Sequence, residues 1–150
     1  MSALNDRWGL LIMRDLLLGL TRFDDLQRSS GVTNATLSDR LKCLEASGLI
    51  ERRRYQTRPD RYEYCPTPKG LDMALIMQAL VQVGDKWRQR RNEGAPLRFV
   101  DANSGRALRL GPVDAETGEI VTAPKITVQA GPDADEIMQW RIARGWRIPS

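Results

Sequence analysis

The chain has 150 residues, of which 41% are hydrophobic and 28% charged, a balance expected of a soluble globular protein with one compact domain or a small domain plus an extension. It holds no histidine, which removes Ser-His-Asp, Cys-His and most zinc chemistry; Cys43 and Cys65 lack any CxxC-type spacing, so no disulfide framework, metal site or cofactor is legible and the chain is not expected to be an enzyme. The net charge of +4 is uneven: residues 1–94 carry 16 Lys/Arg against 12 Asp/Glu, whereas residues 95–150 carry 7 of each.

Leu4 to Leu18 reads as a first helix with a broad apolar face (Trp8, Leu11, Ile12, Leu16), stopped by Gly19. Thr21-Arg22-Phe23 reads as a short strand and Asp24 to Ser29 as a short helix, ended by a Ser30-Gly31 turn. Thr33 is a favoured N-cap for the next helix, which runs to Ser47 with Gly48 at the left-handed position beyond it. Two helices joined by a tight Gly-containing turn make a helix-turn-helix. In the second of them Leu37, Leu41 and Leu44 recur at helical spacing and must face a core, which leaves Asn34, Ala35, Ser38, Asp39 and Lys42 on other faces.

Leu49 to Tyr55 and Arg61 to Cys65 read as two strands around a Gln56-to-Asp60 loop whose tip holds Pro59, the form of a wing. Residues 40–61 hold 7 basic side chains (Arg40, Lys42, Arg52, Arg53, Arg54, Arg58, Arg61) against 3 acidic ones, the local footprint of a polyanion partner. A solvated basic face is the bland alternative for such a run; the adjoining polar helix favours double-stranded DNA. Thr67-Pro68 starts a long helix, and from Leu71 to Trp87 its apolar positions cover more than one face, so a partner helix is expected on the remainder.

After RQRRNEGAP the character changes to short apolar segments, Leu97–Val100, Ala107–Leu110 and Ile126–Val128, separated by turn signals. Asp133 to Arg144 reads as a last amphipathic helix docking through Ile137, Trp140 and Ile142, before a tail with Trp146. No internal repeat is evident. The expected architecture is mainly α with a small β component (α+β): a winged helix-turn-helix DNA-binding and dimerisation domain over 1–94 and a β-rich C-terminal appendage with a terminal helix over 95–150. Met1 is followed by no signal-type segment, and Leu10–Leu20 is broken by Arg14, Asp15 and Gly19, so a cytoplasmic protein with no membrane partner is expected.

Laid out in this order, residues 5–90 resemble the HxlR-type, MarR-like winged-helix transcriptional regulators. The matching parts are Trp8 to Gly19 with Leu-Ile-x-Arg-Asp-Leu, Arg22-Phe23-x-x-Leu26, Leu37-Ser38-x-Arg40-Leu41-x-x-Leu44 with Gly48-Leu49-Ile50, and Tyr62-x-Tyr64-x-x-Thr67-x-x-Gly70. The resemblance implies a homodimeric DNA-binding repressor or activator, with the helix from Asn34 in the major groove, the wing on the backbone or minor groove, and the terminal helices forming the dimer. Family members often carry a cysteine-proline pair on a further N-terminal helix, which this chain lacks. Some relatives append a ribbon with Cys-Gly knuckles. Ser104-Gly105 and Asp114-Ala115-Glu116-Thr117-Gly118 look like such knuckles without their cysteines, so the implied appendage is metal-free.

For DNA binding, Lys42, Arg52, Arg53, Arg54, Arg58 and Arg61 are assigned mainly to phosphates, and Asn34, Ser38 and Arg40 to base edges or the adjoining backbone. Ala35 or Thr36 would touch a thymine methyl. Arg40 has a structural alternative, pairing with Asp24, Asp25 or Glu45. Arg52 and Arg54 share one side of a strand and Arg53 the other, and Tyr55, Tyr62 and Tyr64 read as wing packing. A small apolar effector lined by Trp8, Met13, Met73, Met77 and Trp87 is a further reading, against which the same residues are plain core. Oxidant sensing by Cys43 or Cys65 would need an accessible thiol of lowered pKa. The functional alternatives are a small-molecule-responsive switch, or a winged-helix protein-interaction module without direct DNA readout.

Overall fold

The computed structural model describes residues 7–145, and the expected start of the first helix at Leu4 and the Trp146 tail lie outside them. Its elements are α1 (Arg7–Leu17), α2 (Phe23–Ser30), α3 (Asn34–Ala46), β1 (Ile50–Thr57), β2 (Asp60–Pro66), α4 (Pro68–Leu71), α5 (Met73–Gln89) and α6 (Glu136–Ala143). Chain contacts separate a unit that ends at Leu110 from one that begins at Gly111.

The core of the first unit comes from apolar residues at helical spacing. Ile12, Met13 and Leu16 of α1, Leu26 of α2 and Leu37, Leu41 and Leu44 of α3 are buried, joined by Val32, Leu49, Ile50 and Met73. Removing each such side chain from water stabilises the fold by roughly 1.5–3 kcal/mol, which fixes three helices and the base of the wing against one another. Asp15 is the buried charge of this core; Arg14 Nε donates to its Oδ1 at 2.8 Å.

Local signals set the helix ends. The Thr36 amide donates to Thr33 Oγ1 at 3.2 Å, the N-cap of α3, and Gly31 ends α2 in the left-handed region at φ 67°. At the other end of α3, Gly48 has φ 69° and the Leu49 amide donates to the Leu44 carbonyl at 3.0 Å. That reversal drops Leu49 and Ile50 back into the core at the foot of the wing.

β1 and β2 pair antiparallel with Ile50 opposite Pro66, Arg52 opposite Tyr64, Arg54 opposite Tyr62 and Thr57 opposite Asp60; an irregularity between Arg54 and Gln56 leaves Tyr55 unopposed. The strands run further than the expected Gln56–Asp60 loop allows. Pro59 sits in the turn itself, where its missing N–H costs no ladder bond, so pairing continues to Thr57. The expected short strand at Thr21–Phe23 is present as a bridge: Arg22 pairs with Glu63, and the Tyr64 amide donates to the Thr21 carbonyl at 2.8 Å.

The long helix expected from Thr67 is interrupted at Asp72, giving α4 and α5, although Asp72 keeps right-handed helical dihedrals. Thr67 caps α4 by accepting from the Gly70 amide at 3.1 Å. On α5 only Met73 and Met77 are buried, whereas Ile76, Leu80, Val83 and Trp87, spaced i, i+4, i+7 and i+11, are exposed. Beyond α5, Leu97–Val100 and Ala107–Leu110 fold back through a bridge between Val100 and Ala107. Gln82 holds the end of this hairpin: its Nε2 donates to the Leu110 carbonyl and its Oε1 accepts from the Leu110 amide, both at 2.8 Å.

In the second unit Val113 bridges Ile120, Ile126–Val128 forms no strand, and α6 begins on an Asp135 N-cap that accepts from the Met138 amide at 2.7 Å. Of the side chains expected to dock α6, Ile137 and Trp140 are 59% and 58% exposed and Ile142 is half-buried. Two turns are built alike. Asp101 caps the Ser104 amide at 2.8 Å and Asp114 the Thr117 amide at 2.9 Å, each followed by Gly105 or Gly118, so a D-x-x-S/T-G turn recurs that hydropathy alone did not reveal. In both, hydrogen bonds from the turn hold the aspartate carboxyl below its usual range.

Candidate nucleic-acid interface

Helix α3 turns its leucines inward and leaves Asn34, Ala35, Asp39 and Lys42 exposed, with Thr36, Ser38 and Arg40 half-buried. Arg40, the cation assigned to base edges or the adjoining backbone, is half-buried with its Nε out of solvent. The wing follows α3 through Gly48 and Leu49, and its foot is tied to the end of that helix. Thr67 Oγ1 donates to the Gly48 carbonyl at 2.6 Å, and Lys69 Nζ to the Ser47 carbonyl at 2.8 Å. Lys69 thus places a cation at a helix C-terminus, where the carbonyl dipoles favour it.

The five wing arginines at 52, 53, 54, 58 and 61 are all exposed but not equivalent. Strand alternation puts Arg52 and Arg54 on the side of Tyr62 and Tyr64, and Arg53 on the side of Glu51 and Glu63. The Arg52 guanidinium lies 4.5 Å from the Tyr62 ring centre, and Arg54 Nη1 lies 3.6 Å from Asp60 Oδ1. Arg53 Nε donates to Glu51 Oε1 at 2.7 Å, and that hydrogen bond and charge raise the guanidinium further above its ordinary pKa. Among the described residues, Lys42, Arg52, Arg58 and Arg61 have no carboxylate partner, so their charge is uncompensated at close range.

Arg22 is a cation that pattern reading left out of the interface. Its guanidinium stacks 5.0 Å from the Tyr55 ring centre, and together they border a cleft of about 360 Å³ that Asp24, Asp25 and Arg61 also line. Its traces in the sequence are the strand signal at Thr21–Phe23 and the Arg22-Phe23-x-x-Leu26 segment, neither of which points to the wing. Tyr64 packs against the core, and burial pushes its phenol above the ordinary value, partly opposed by Arg52.

The residues proposed for an apolar effector are divided between the core and the surface. Met13 and Met73 belong to the core, Trp8 packs against it, Met77 is buried, and Trp87 is 52% exposed beneath Arg90. Cys43, exposed on α3, and Cys65, half-buried in β2, are free thiols. No group of three or more metal-ligating side chains occurs among the described residues, and no described helix is long and apolar enough to cross a membrane.

Comparison with known proteins agrees with this geometry. The family model for the HxlR-like helix-turn-helix matches residues 3–92. A Mycobacterium tuberculosis (strain ATCC 25618 / H37Rv) protein named an uncharacterized HTH-type transcriptional regulator is 34% identical over 132 residues, spanning 88% of this chain and 83% of the relative. Among solved structures, PA1374 from Pseudomonas aeruginosa, named as a candidate transcription factor, superposes with a TM-score of 0.64 at 38% identity, covering 93% of this chain and 94% of its own. PA1607, named likewise, superposes with a TM-score of 0.69 at 28% identity over 87% and 90% of the two chains. A winged helix-turn-helix over this length, with the sequence match spread across all its elements, identifies the chain as a member of the HxlR-like helix-turn-helix family.

Proposed function

We propose that the protein is a transcriptional regulator that binds double-stranded DNA sequence-specifically, as a homodimer on an inverted repeat in the cytoplasm. The observation that carries this reading is that the exposed polar side of α3 is followed directly by a wing whose Arg52, Arg58 and Arg61 lack carboxylate partners among the described residues. In this reading residues 1–94 bind DNA and dimerise, and residues 95–150 form an appendage. Lys42, Arg52, Arg54, Arg58 and Arg61 meet phosphates and set register, while Asn34 and Ser38, with Ala35 and Thr36 beside them, face base edges. Arg53, held by Glu51 on the opposite side of the strand, contributes less than its neighbours. Arg40 braces α3 and reaches the adjoining backbone.

The exposed Ile76-Leu80-Val83-Trp87 stripe of α5 supports the dimer, because an apolar stripe of this length is left uncovered in one copy of the chain. A two-fold axis then sets two α3 helices about one DNA turn, roughly 34 Å, apart. Selection from random duplex DNA tests the reading: recovery of an inverted repeat is expected, bound by a species of twice the chain mass in sedimentation. If the dimer neutralises roughly 6 to 10 phosphates, affinity falls by about 10³ to 10⁵ between 50 and 200 mM salt. Enrichment of no sequence above background, or a salt-independent affinity, refutes it in favour of a protein-interaction module.

A further inference from the structure

Between α5 and the Leu97–Leu110 hairpin lies an open cleft of about 700 Å³, in the size range of small-molecule sites and well separated in sequence from α3 and the wing. We propose that this cleft binds a small organic acid with an aromatic or aliphatic body. Its floor and walls include Leu97, Phe99 and Leu108, apolar side chains that remain half-buried or exposed. Around them stand Lys86, Arg98 and Arg109, against the single carboxylate Asp85. Among the described residues none of these three cations forms an ion pair, whereas nearby Arg88 and Arg91 are both held by Glu93. An apolar surface bordered by uncompensated cations favours a ligand with the complementary pairing, an apolar body and one anionic head.

The cleft is held open by a specific device and is not simply a gap in loose packing. The paired hydrogen bonds between the Gln82 side chain and the Leu110 backbone anchor the hairpin on α5, and Gln82 itself lines the cleft. A ligand seated there touches both the helix and the hairpin, so it strengthens the same link. This site is distinct from the Met and Trp positions considered from sequence, and its occupancy does not depend on what α3 binds.

Calorimetric titration of the full-length chain with 1-naphthoate, decanoate and indole-3-carboxylate tests the proposal, with 1-naphthylmethanol as the uncharged comparison. Saturable binding of at least one acid at one per protomer is expected, with the alcohol weaker by about tenfold, the scale of one lost charge-assisted contact. An Arg98→Gln/Arg109→Gln double variant, altered only at exposed side chains and checked by circular dichroism, loses affinity by a similar or larger factor. A Phe99→Ala variant weakens acid and alcohol alike. The proposal is overturned if none of the three acids binds saturably, if the alcohol binds as well as its acid, or if the double variant binds undiminished.

Discussion

Gly70 offers the sharpest test of how the wing is joined to the helical core. It is buried in α4, and a methyl group at its α-carbon would be driven into the Leu49 carbonyl oxygen, with the Leu49 carbonyl carbon at 3.1 Å and the Met13 methyl at 3.3 Å behind it. The obstructing oxygen is backbone and cannot rotate away. It already accepts from the Thr67 amide at 3.0 Å, so making room means moving Leu49, a core residue, and stretching that bond. Overpacking costs about 1–3 kcal/mol and a weakened buried hydrogen bond about 1 kcal/mol, against a helix-propensity gain of at most about 1 kcal/mol for Gly→Ala. Gly70→Ala is therefore expected to lose about 1–4 kcal/mol. In urea denaturation followed by circular dichroism, this appears as a lower midpoint at unchanged slope, and in a thermal melt as a fall of roughly 2–16 °C. Gly84→Ala is the control, because a methyl there meets nothing within 4 Å and the residue lies inside α5; it should match or exceed the parent. A Gly70→Ala protein as stable as the parent would refute the account of this junction.

Leu41→Ala, at a core position of α3 that is 1% exposed, should cost about 2–5 kcal/mol in the same denaturation assay; a loss below 1 kcal/mol would mean that the site collapses around the cavity. Thr33→Ala removes the cap of α3 and should lower stability by about 1 kcal/mol, with Thr33→Ser retaining most of it. The folded pKa values of Asp101 and Asp114 lie below the ordinary 3.8, so the turn hydrogen bonds are fully present above that value and are lost as pH falls through the lower folded values. Amide shifts of Ser104 and Thr117 followed by NMR should report those midpoints, and Ser104→Ala should return the Asp101 midpoint toward 3.8; an unmoved midpoint would contradict the assigned cause. In DNA binding, Arg58→Ala should reduce the salt slope by about one unit, whereas Arg53→Ala should change it less, read by fluorescence anisotropy across a salt series.

What could be read along the chain were features whose physics is local. The Leu37-Leu41-Leu44 spacing fixed the buried side of α3, Thr33 and Thr67 marked helix starts through hydroxyls that satisfy first-turn amides, and Gly48 marked the reversal into the wing. Strand alternation alone separated Arg53 from Arg52 and Arg54. Contacts between elements were not legible. The exclusion of a side chain at Gly70 depends on a carbonyl 21 residues earlier, and Arg22 joins the wing only because it bridges Glu63 while the Thr21 carbonyl accepts from the Tyr64 amide across the fold. Likewise the methionine and tryptophan positions share a composition with ligand pockets, but packing sends Met13 and Met73 into the core, while the cleft forms where Gln82 catches the Leu110 backbone. Periodicity and capping act over a single turn or strand and can be read in one dimension. Which surface closes on which is set by contacts between residues distant in sequence, and in this protein that decided the wing's junction, the partners of its arginines and the place of the cleft.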